Sequence, residues 1–339
     1  MDVLQPVNRR RRRRRRVAPW IVAALASAAV AVGAAAVVLL LGGGTARRSV
    51  TPPPPPARHA RVLLHVRRPP RPHSVPLLRL GRARFGAPLP RIQARAAIVV
   101  DDATGAVLYR RDVHRKLPIA STTKIMTALL VLRHDRLGAV VRIAPSVPLV
   151  PLVKEGLRAG EHVPVWKLLY GLLLYSGNDD ALALALATSG SRPAFLRLMN
   201  AEARRLRLDD THFNSPSGVL DERNYSSAWD LAALTRVALR NATFRRIVAT
   251  RVERVRWAPP TYAKVYVNRN LLLWSYPGTI GVKTGFTTVA GDCLVAAATR
   301  HGRTLIVVLL HDPETYADAI RLFDRGWRVR SPAGAANAR

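Results

Sequence analysis

Residues 96–110 read Ala96-Ala97-Ile98-Val99-Val100-Asp101-Asp102-Ala103-Thr104-Gly105-Ala106-Val107-Leu108-Tyr109-Arg110. Two apolar runs, Ala96 to Asp101 and Ala106 to Arg110, flank the turn-forming residues Asp102 to Gly105, and this arrangement predicts a β-hairpin. Downstream the apolar spacing becomes helical. One helix is predicted from Ser121 through Ile125, Met126, Leu129, Leu130 and Leu132, with Ser121 as its N-terminal residue. A second is expected over Val165 to Leu174, ending near Ser176-Gly177-Asn178. A third opens at Asp179 or Asp180 and runs through Ala187. Arg192 to Leu206 and Trp229 to Leu239 add two more. The period then shortens again. Gly281 to Phe286, Asp292 to Thr299 and Thr304 to Leu310 read as consecutive strands, and Pro313 to Trp327 as a closing helix. Strands, then helices, then strands is the order of an α+β domain, not of alternating βαβ units. The first hairpin is therefore expected to join the late strands in one antiparallel sheet.

Upstream of this domain the chain changes character. Of 54 basic residues, 20 lie in residues 1–95, with a single acid, Asp2. Arg9 to Arg16 is an unbroken arginine block, and Val17 to Leu41 follows without a charge. As a helix that segment would be about 37 Å long, enough for a hydrocarbon core of about 30 Å. The arginines would remain cytoplasmic, which puts everything beyond Leu41 outside the membrane. We therefore expect a cytoplasmic tail (1–16), a transmembrane signal anchor (17–41), a linker (42–90), a folded domain (91–330) and a short tail (331–339). Cleavage near Gly44-Thr45-Ala46 is the alternative to an anchor. A nucleic-acid-binding arm would use the arginines as well, but a spanning segment directly after them favours the topogenic reading, so no nucleic-acid partner is expected. The linker, with Pro52 to Pro56, favours extended polyproline conformations.

Cys293 is the sole cysteine, which excludes an intramolecular disulfide. No Cys/His metal spacing and no His-Glu-x-x-His pattern occurs among the nine histidines, so neither a metal nor a cofactor is expected. Only six lysines stand among the 54 basic residues: Lys116, Lys124, Lys154, Lys167, Lys264 and Lys283. Lysine, unlike arginine, can be deprotonated in a protein.

Two of these lysines fall in chemically suggestive settings. Ser121-Thr122-Thr123-Lys124 puts a hydroxyl and an amine three residues apart, on one face of a helix. An amine that is desolvated beside another cationic centre loses its proton more easily, and it can then activate the serine. Taken alone, the same four residues also fit a helix-capping serine followed by a solvated lysine. Ser176-Gly177-Asn178 fits a helix C-cap glycine equally well. Lys283-Thr284-Gly285 fits an edge strand with a protective lysine.

Taken together and in this order, the three segments resemble the penicillin-recognising acyl-serine enzymes, whose signature is Ser-x-x-Lys, then Ser-x-Asn, then Lys-Thr-Gly. The neighbourhoods Ala120 to Ala128, Leu172 to Asp179, His212 to Gly218 and Lys283 to Thr287 are similar to the D-alanyl-D-alanine carboxypeptidase branch, a resemblance that covers about residues 91–330. It implies the transpeptidase fold of serine β-lactamases and DD-peptidases, an antiparallel sheet flanked by helices plus a mainly helical subdomain. It also implies a site. Ser121 is then the nucleophile, Lys124 its general base and Ser176 the proton relay. Asn178 orients Lys124 and binds the substrate's peptide. Lys283 and Thr284 hold a terminal carboxylate, and Gly285, Phe286 and Thr287 line the binding strand. The amides of Ser121 and Phe286 form the oxyanion hole. The implied substrate is the peptidoglycan stem peptide, and β-lactams are the implied covalent inhibitors.

Two rivals use the same residues. A class A-like β-lactamase would carry Ser-Asp-Asn and a Glu-x-x-Leu-Asn segment. Here Gly177 occupies the middle position, and no such segment lies between Asn178 and Lys283. A DD-endopeptidase acting on cross-links would show the same motifs. For any of these enzymes Ser121→Ala should abolish covalent labelling by penicillin, read on a denaturing gel; a variant that still labels would remove Ser121 as the nucleophile.

Overall fold

The computed structural model describes residues 85–329 apart from 152, 220–222 and 257–262, together with Leu78. The expected membrane segment and C-terminal tail lie outside the described residues, as does the linker apart from Leu78 and residues 85–90, of which Leu78 and Phe85 are buried in the two cores. Among the described residues no helix is long and apolar enough to cross a membrane.

The elements follow in chain order. Strands β1 (Ala96–Asp101), β2 (Val107–Arg111) and β3 (Leu117–Pro118) come first, then a 3₁₀ turn over Ala120–Thr123 and helix α1 (Lys124–His134). Short strands β4 (Val140–Arg142) and β5 (His162–Pro164) lead into α2 (Val165–Tyr170), a π-helical turn over Gly171–Tyr175, α3 (Asn178–Ser189) and α4 (Arg192–Arg205). After β6 (Tyr225–Ser226) come α5 (Ala228–Ala238), α6 (Ala242–Ala249), the hairpin β7 (Val252–Val255) and β8 (Lys264–Val267), and α7 (Leu272–Ser275). Strands β9 (Thr279–Thr287), β10 (Gly291–Arg300) and β11 (Arg303–Leu310) and helix α8 (Thr315–Arg328) complete the domain.

The main sheet has the order β2-β1-β11-β10-β9, with every neighbouring pair antiparallel. The N-terminal hairpin does join the late strands, with Ala96 opposite Leu310 and Asp101 opposite Leu305. The hairpin turn is held by Asp101, whose Oδ1 accepts from Thr104 N and Oγ1, while Gly105 takes φ +73°.

Every residue of β1 is buried, because the sheet is covered on both faces. Side chains alternate across a strand, and here they feed two cores. Ile98, Val100, Val295, Ile306 and Val308 pack with helices α1, α3 and α5. Ala97, Val99, Leu294, Val307 and Leu309 pack with Ala319, Leu322 and Phe323 of α8. Double coverage explains why these strands read as continuous apolar runs and not as alternating ones.

Two helices differ from the sequence-based expectation. Ser121 does not cap α1: it lies inside the 3₁₀ turn and its side chain makes no cap hydrogen bond, since the hydroxyl is turned toward Lys124. The helix expected over Val165 to Leu174 is α-helical only to Tyr170 and then widens into the π turn. Helices α6 and α7 and the β7–β8 hairpin were not anticipated. Val252, Val265 and Val267 of that hairpin are exposed while Val255 and Tyr266 are buried, so apolar residues stand on both faces and the alternation that marks a strand in sequence is lost.

Phe323 is fully buried, with its ring 5.3 Å from that of Tyr276 and 6.2 Å from that of Trp327. Phe323→Ala should cost about 3–5 kcal/mol of unfolding free energy, measured by chemical denaturation. Penicillin labelling of the remaining folded protein should persist, because this core lies across the sheet from Ser121.

Candidate active site

The site forms where the 3₁₀ turn, the loop before α3 and strand β9 converge. Lys124 begins α1 and is wholly buried. Its Nζ lies 2.9 Å from Ser121 Oγ, 2.9 Å from Asn178 Oδ1 and 2.9 Å from the Ser217 carbonyl. Two of these three neighbours can only accept a hydrogen bond. The orientation of the Asn178 amide is set by its Nδ2, which donates to Pro151 O. A neutral amine has two N–H bonds and one lone pair. The N–H bonds satisfy Asn178 and Ser217, which leaves the lone pair for the Ser121 hydroxyl.

Burial drives the amine toward that neutral form. The Lys124 pKa is held well below the ordinary lysine value, first by desolvation and then by the positive charge of Lys283. Lys283 is itself buried, and desolvation with the nearby Arg269 charge brings it down to about 7. Its Nζ donates to Thr284 O.

Strand β9 approaches the serine closely. A Cβ on Gly285 would come 2.9 Å from Ser121 N and 3.1 Å from Ala120 Cβ, so only glycine fits there without displacement. Lys283 and Gly285 pair with Val295 and Cys293, whose side chains enter the helical-side core. The strand alternation therefore turns both residues toward Ser121. Thr284 and Phe286 alternate away; Thr284 is half-buried and Phe286 is 63% exposed. Thr287 Oγ1 accepts from Ala290 N in the turn to β10.

Ser176 is buried and takes φ +74°, ψ 32°, a left-handed conformation that is costly for a residue with a Cβ. The C-cap expectation placed glycine in that conformation, but Gly177 is extended at φ −61°. The reason for glycine is space, because a Cβ on Gly177 would overlap Asp180 Oδ2. Among the described residues Ser176 is hydrogen-bonded to neither lysine.

Sequence reasoning missed several supporting residues. Ser217 supplies the third contact to Lys124 through its backbone carbonyl, within the segment His212 to Gly218. Gly218 takes φ +77°, and a Cβ there would overlap Ala120 O, so this loop presses directly on the turn that carries Ser121. Asn224 braces the loop: its Oδ1 accepts from Asn214 N and Ser215 N, and its Nδ2 donates to Thr123 Oγ1. Asp179 accepts from the amides of Glu155, Gly156 and Leu157, fixing the irregular segment beside the site. A run of Asp after Asn178 hinted at such a role, but its partners lie 22 to 24 residues upstream. Among the described residues no cluster of His, Cys, Asp or Glu is arranged to hold a metal ion.

A serine hydroxyl facing a desolvated lysine amine fits a serine-type peptidase. The comparisons with known proteins then give the family. Residues 83–314 match the family described as D-alanyl-D-alanine carboxypeptidase, and the chain belongs to that family. It is 36% identical over 259 residues to the D-alanyl-D-alanine carboxypeptidase of Streptomyces sp. (strain K15), covering 71% of this chain and 89% of the relative. It is 34% identical over 223 residues to D-alanyl-D-alanine carboxypeptidase DacF of Bacillus subtilis (strain 168), covering 64% of this chain and only 57% of that protein. Other relatives carry the name D-alanyl-D-alanine endopeptidase. Among solved structures, a serine-to-alanine mutant of the Streptomyces K15 DD-transpeptidase superposes with a TM-score of 0.67 at 35% identity, over 70% of this chain and 99% of that one. The domain thus has the transpeptidase fold expected from its motifs.

Gly285→Val, which places a branched side chain against Ser121 N, should slow acylation by penicillin about 100-fold or more. Stopped-flow or gel-based labelling would measure it, and near-wild-type acylation would show that the approach of β9 to Ser121 is not required.

Proposed function

We propose that this protein is a serine-type D-Ala-D-Ala carboxypeptidase that removes the terminal D-alanine from peptidoglycan stem pentapeptides. The observation that carries this reading is the buried Lys124 amine, 2.9 Å from the Ser121 hydroxyl and held by Asn178 and the Ser217 carbonyl.

Ser121 Oγ attacks the carbonyl carbon of the terminal peptide bond, and its proton passes to Lys124 Nζ. The oxyanion is met by the amides of Ser121 and Phe286. The C–N bond breaks, and D-alanine leaves with a proton relayed through Ser176. Water then hydrolyses the Ser121 ester and regenerates the hydroxyl. Asn178 holds Lys124 and binds the substrate's peptide group. Lys283, which faces Ser121, takes the terminal carboxylate, with Thr284 on the other face of β9 and Gly285 and Thr287 shaping the strand along which the substrate lies. No metal or cofactor enters this scheme. β-Lactams, which resemble the acyl dipeptide, would acylate Ser121 in the same way.

The proposed setting is the outer side of the cytoplasmic membrane. Residues 17–41 would anchor the protein by a single span with a cytoplasmic N-terminus, residues 42–90 would act as a spacer, and residues 91–330 would be the catalytic domain. The 25 uncharged residues following eight arginines support this placement.

Release of D-alanine from a stem pentapeptide by the full chain, lost in Ser121→Ala, is the expected result. Labelling by penicillin without D-alanine release would instead favour the endopeptidase reading, in which the same residues open cross-links. Lys283 must be charged to hold a carboxylate. Its charge is lost as pH rises through about 7, so kcat/KM for the pentapeptide should fall above that pH. Lys283→Arg, which keeps its charge, should lose this alkaline limb; an unchanged limb would show that Lys283 does not set it. Lys283→Ala should raise KM for substrates with a free terminal carboxylate far more than Ser49→Ala does.

A further inference from the structure

Behind the Ser176–Asn178 turn lies a second group of ionisable side chains that the scheme above does not use. Glu155 is 6% exposed and Asp180 is fully buried. Asp180 approaches the backbone of Gly171 and Gly177, and Glu155 that of Gly171. A Cβ on Gly171 would overlap Glu155 Oε2 and lie 2.5 Å from Asp180 Oδ2, and a Cβ on Gly177 would overlap the Asp180 carboxyl as well. The two carboxyls therefore meet in the space these glycines leave open.

Donors around them are too few. Tyr266 Oη donates to Glu155 Oε2 at 2.6 Å. Glu155 Oε1 and both oxygens of Asp180 are buried and meet no N–H or O–H donor. Two ionised carboxylates in contact and short of donors repel each other at high cost in a desolvated site, whereas one proton between them turns the contact into a hydrogen bond. The other charged and titratable groups facing the pair are Asp179 from α3, Lys124 from α1 and Lys264 from β8. Lys264 donates to Glu155 O, and Asp179 is satisfied by backbone amides. Lys283 and Arg269 face Lys124 from the other side.

We propose that Glu155 and Asp180 are positioning residues for the general base, sharing one proton that stays on Asp180 and leaves the negative charge on Glu155, away from Lys124. This inference rests on the reading of Lys124 as the base. The electrostatics have the same direction. Burial raises both carboxyls, Glu155 to about 7 and Asp180 well beyond the ordinary aspartate range. Ionised Asp180 is the carboxylate that most strongly favours protonated Lys124, and Asp179 adds a smaller effect. A proton on Asp180 therefore helps to keep the Lys124 amine neutral, so that it can accept the Ser121 proton. The same proton ties α3, which begins at Asn178, to the segment bearing Glu155.

The two isosteric variants separate this role from simple packing. In Asp180→Asn the charge remains on Glu155, and the amide replaces the shared proton. In Glu155→Gln the charge moves to Asp180, beside Lys124. The pH dependence of penicillin acylation of the full chain should show its acid limb displaced upward by about one pH unit in Glu155→Gln and nearly unmoved in Asp180→Asn. Acid limbs that move alike, or not at all, overturn the proposal. An infrared titration of the wild type provides a test that does not depend on the variants folding. A protonated-carboxyl C=O band should persist at pH 8, above the values of about 7 for Glu155 and about 6 for Asp230 and Asp312, and be absent from Asp180→Asn; a wild type without that band overturns the proposal. If the wild type is not acylated by penicillin, the reading of Ser121 and Lys124 fails, and the assignment of the pair to the base fails with it. The infrared band reports on the shared proton independently.

Discussion

The site depends on burying an amine. A lysine moved out of water loses the solvation of its ammonium form, so it is tolerated in the interior as a neutral base or as a well-matched cation. Lys124 has contacts for the neutral form and a positive neighbour, Lys283, that disfavours the charged one. Much of the domain serves this one group. Helix α1 carries it, the start of α3 brings Asn178, the loop through Ser217 and Gly218 closes over it, and β9 approaches along Gly285. Each close approach requires a residue without a side chain, which is why Gly177, Gly218 and Gly285 recur around one amine.

The hydrophobic construction that supports this geometry is rigid for a separate reason. The strands of the main sheet feed two cores at once, one toward the helices and one toward α8. Close packing on both faces leaves a strand little freedom to shift, because interiors pack at crystal-like density. Strand β9 lies at one edge of the sheet, and its register to β10 pairs Lys283 with Val295 and Gly285 with Cys293. A slip of one residue would turn Lys283 away from the site.

Much of this was legible in the sequence. The hairpin at 96–110 and the three late strands carry strong local signals, and the expected strands differ from the observed ones by one or two residues at their ends. The juxtaposition of the Ser121 hydroxyl and the Lys124 amine was legible through their spacing, and the other candidate site residues through resemblance. The illegible parts depend on contacts distant in sequence. The Ser217 carbonyl is a backbone atom, and no side chain marks it. The left-handed Ser176 is imposed by its surroundings, against the local preference that pointed to Gly177. Ser121 resembles a helix cap because caps and nucleophiles are both short polar residues at a helix start. Ser121 makes no cap hydrogen bond and faces Lys124 instead, which rules out the cap. The pairing of Glu155 with Asp180 spans 25 positions and follows no helical or strand period.

The central position of β1 has a consequence for how the protein is made. This strand lies near the start of the domain, yet its main partner, β11, is the last strand of the chain, with Ala96 set opposite Leu310. As the chain emerges, β1 and β2 form only a two-stranded ribbon, which is marginal in water. The sheet gains its middle only when residues 303–310 arrive, and the face toward α8 is covered only after residue 328. Closure is thus a late event that depends on contacts of very long sequence separation, which fold slowly. A domain of this topology stays open until residues 303–328 have joined it, so its first strand waits unpaired on one side through most of the domain's synthesis.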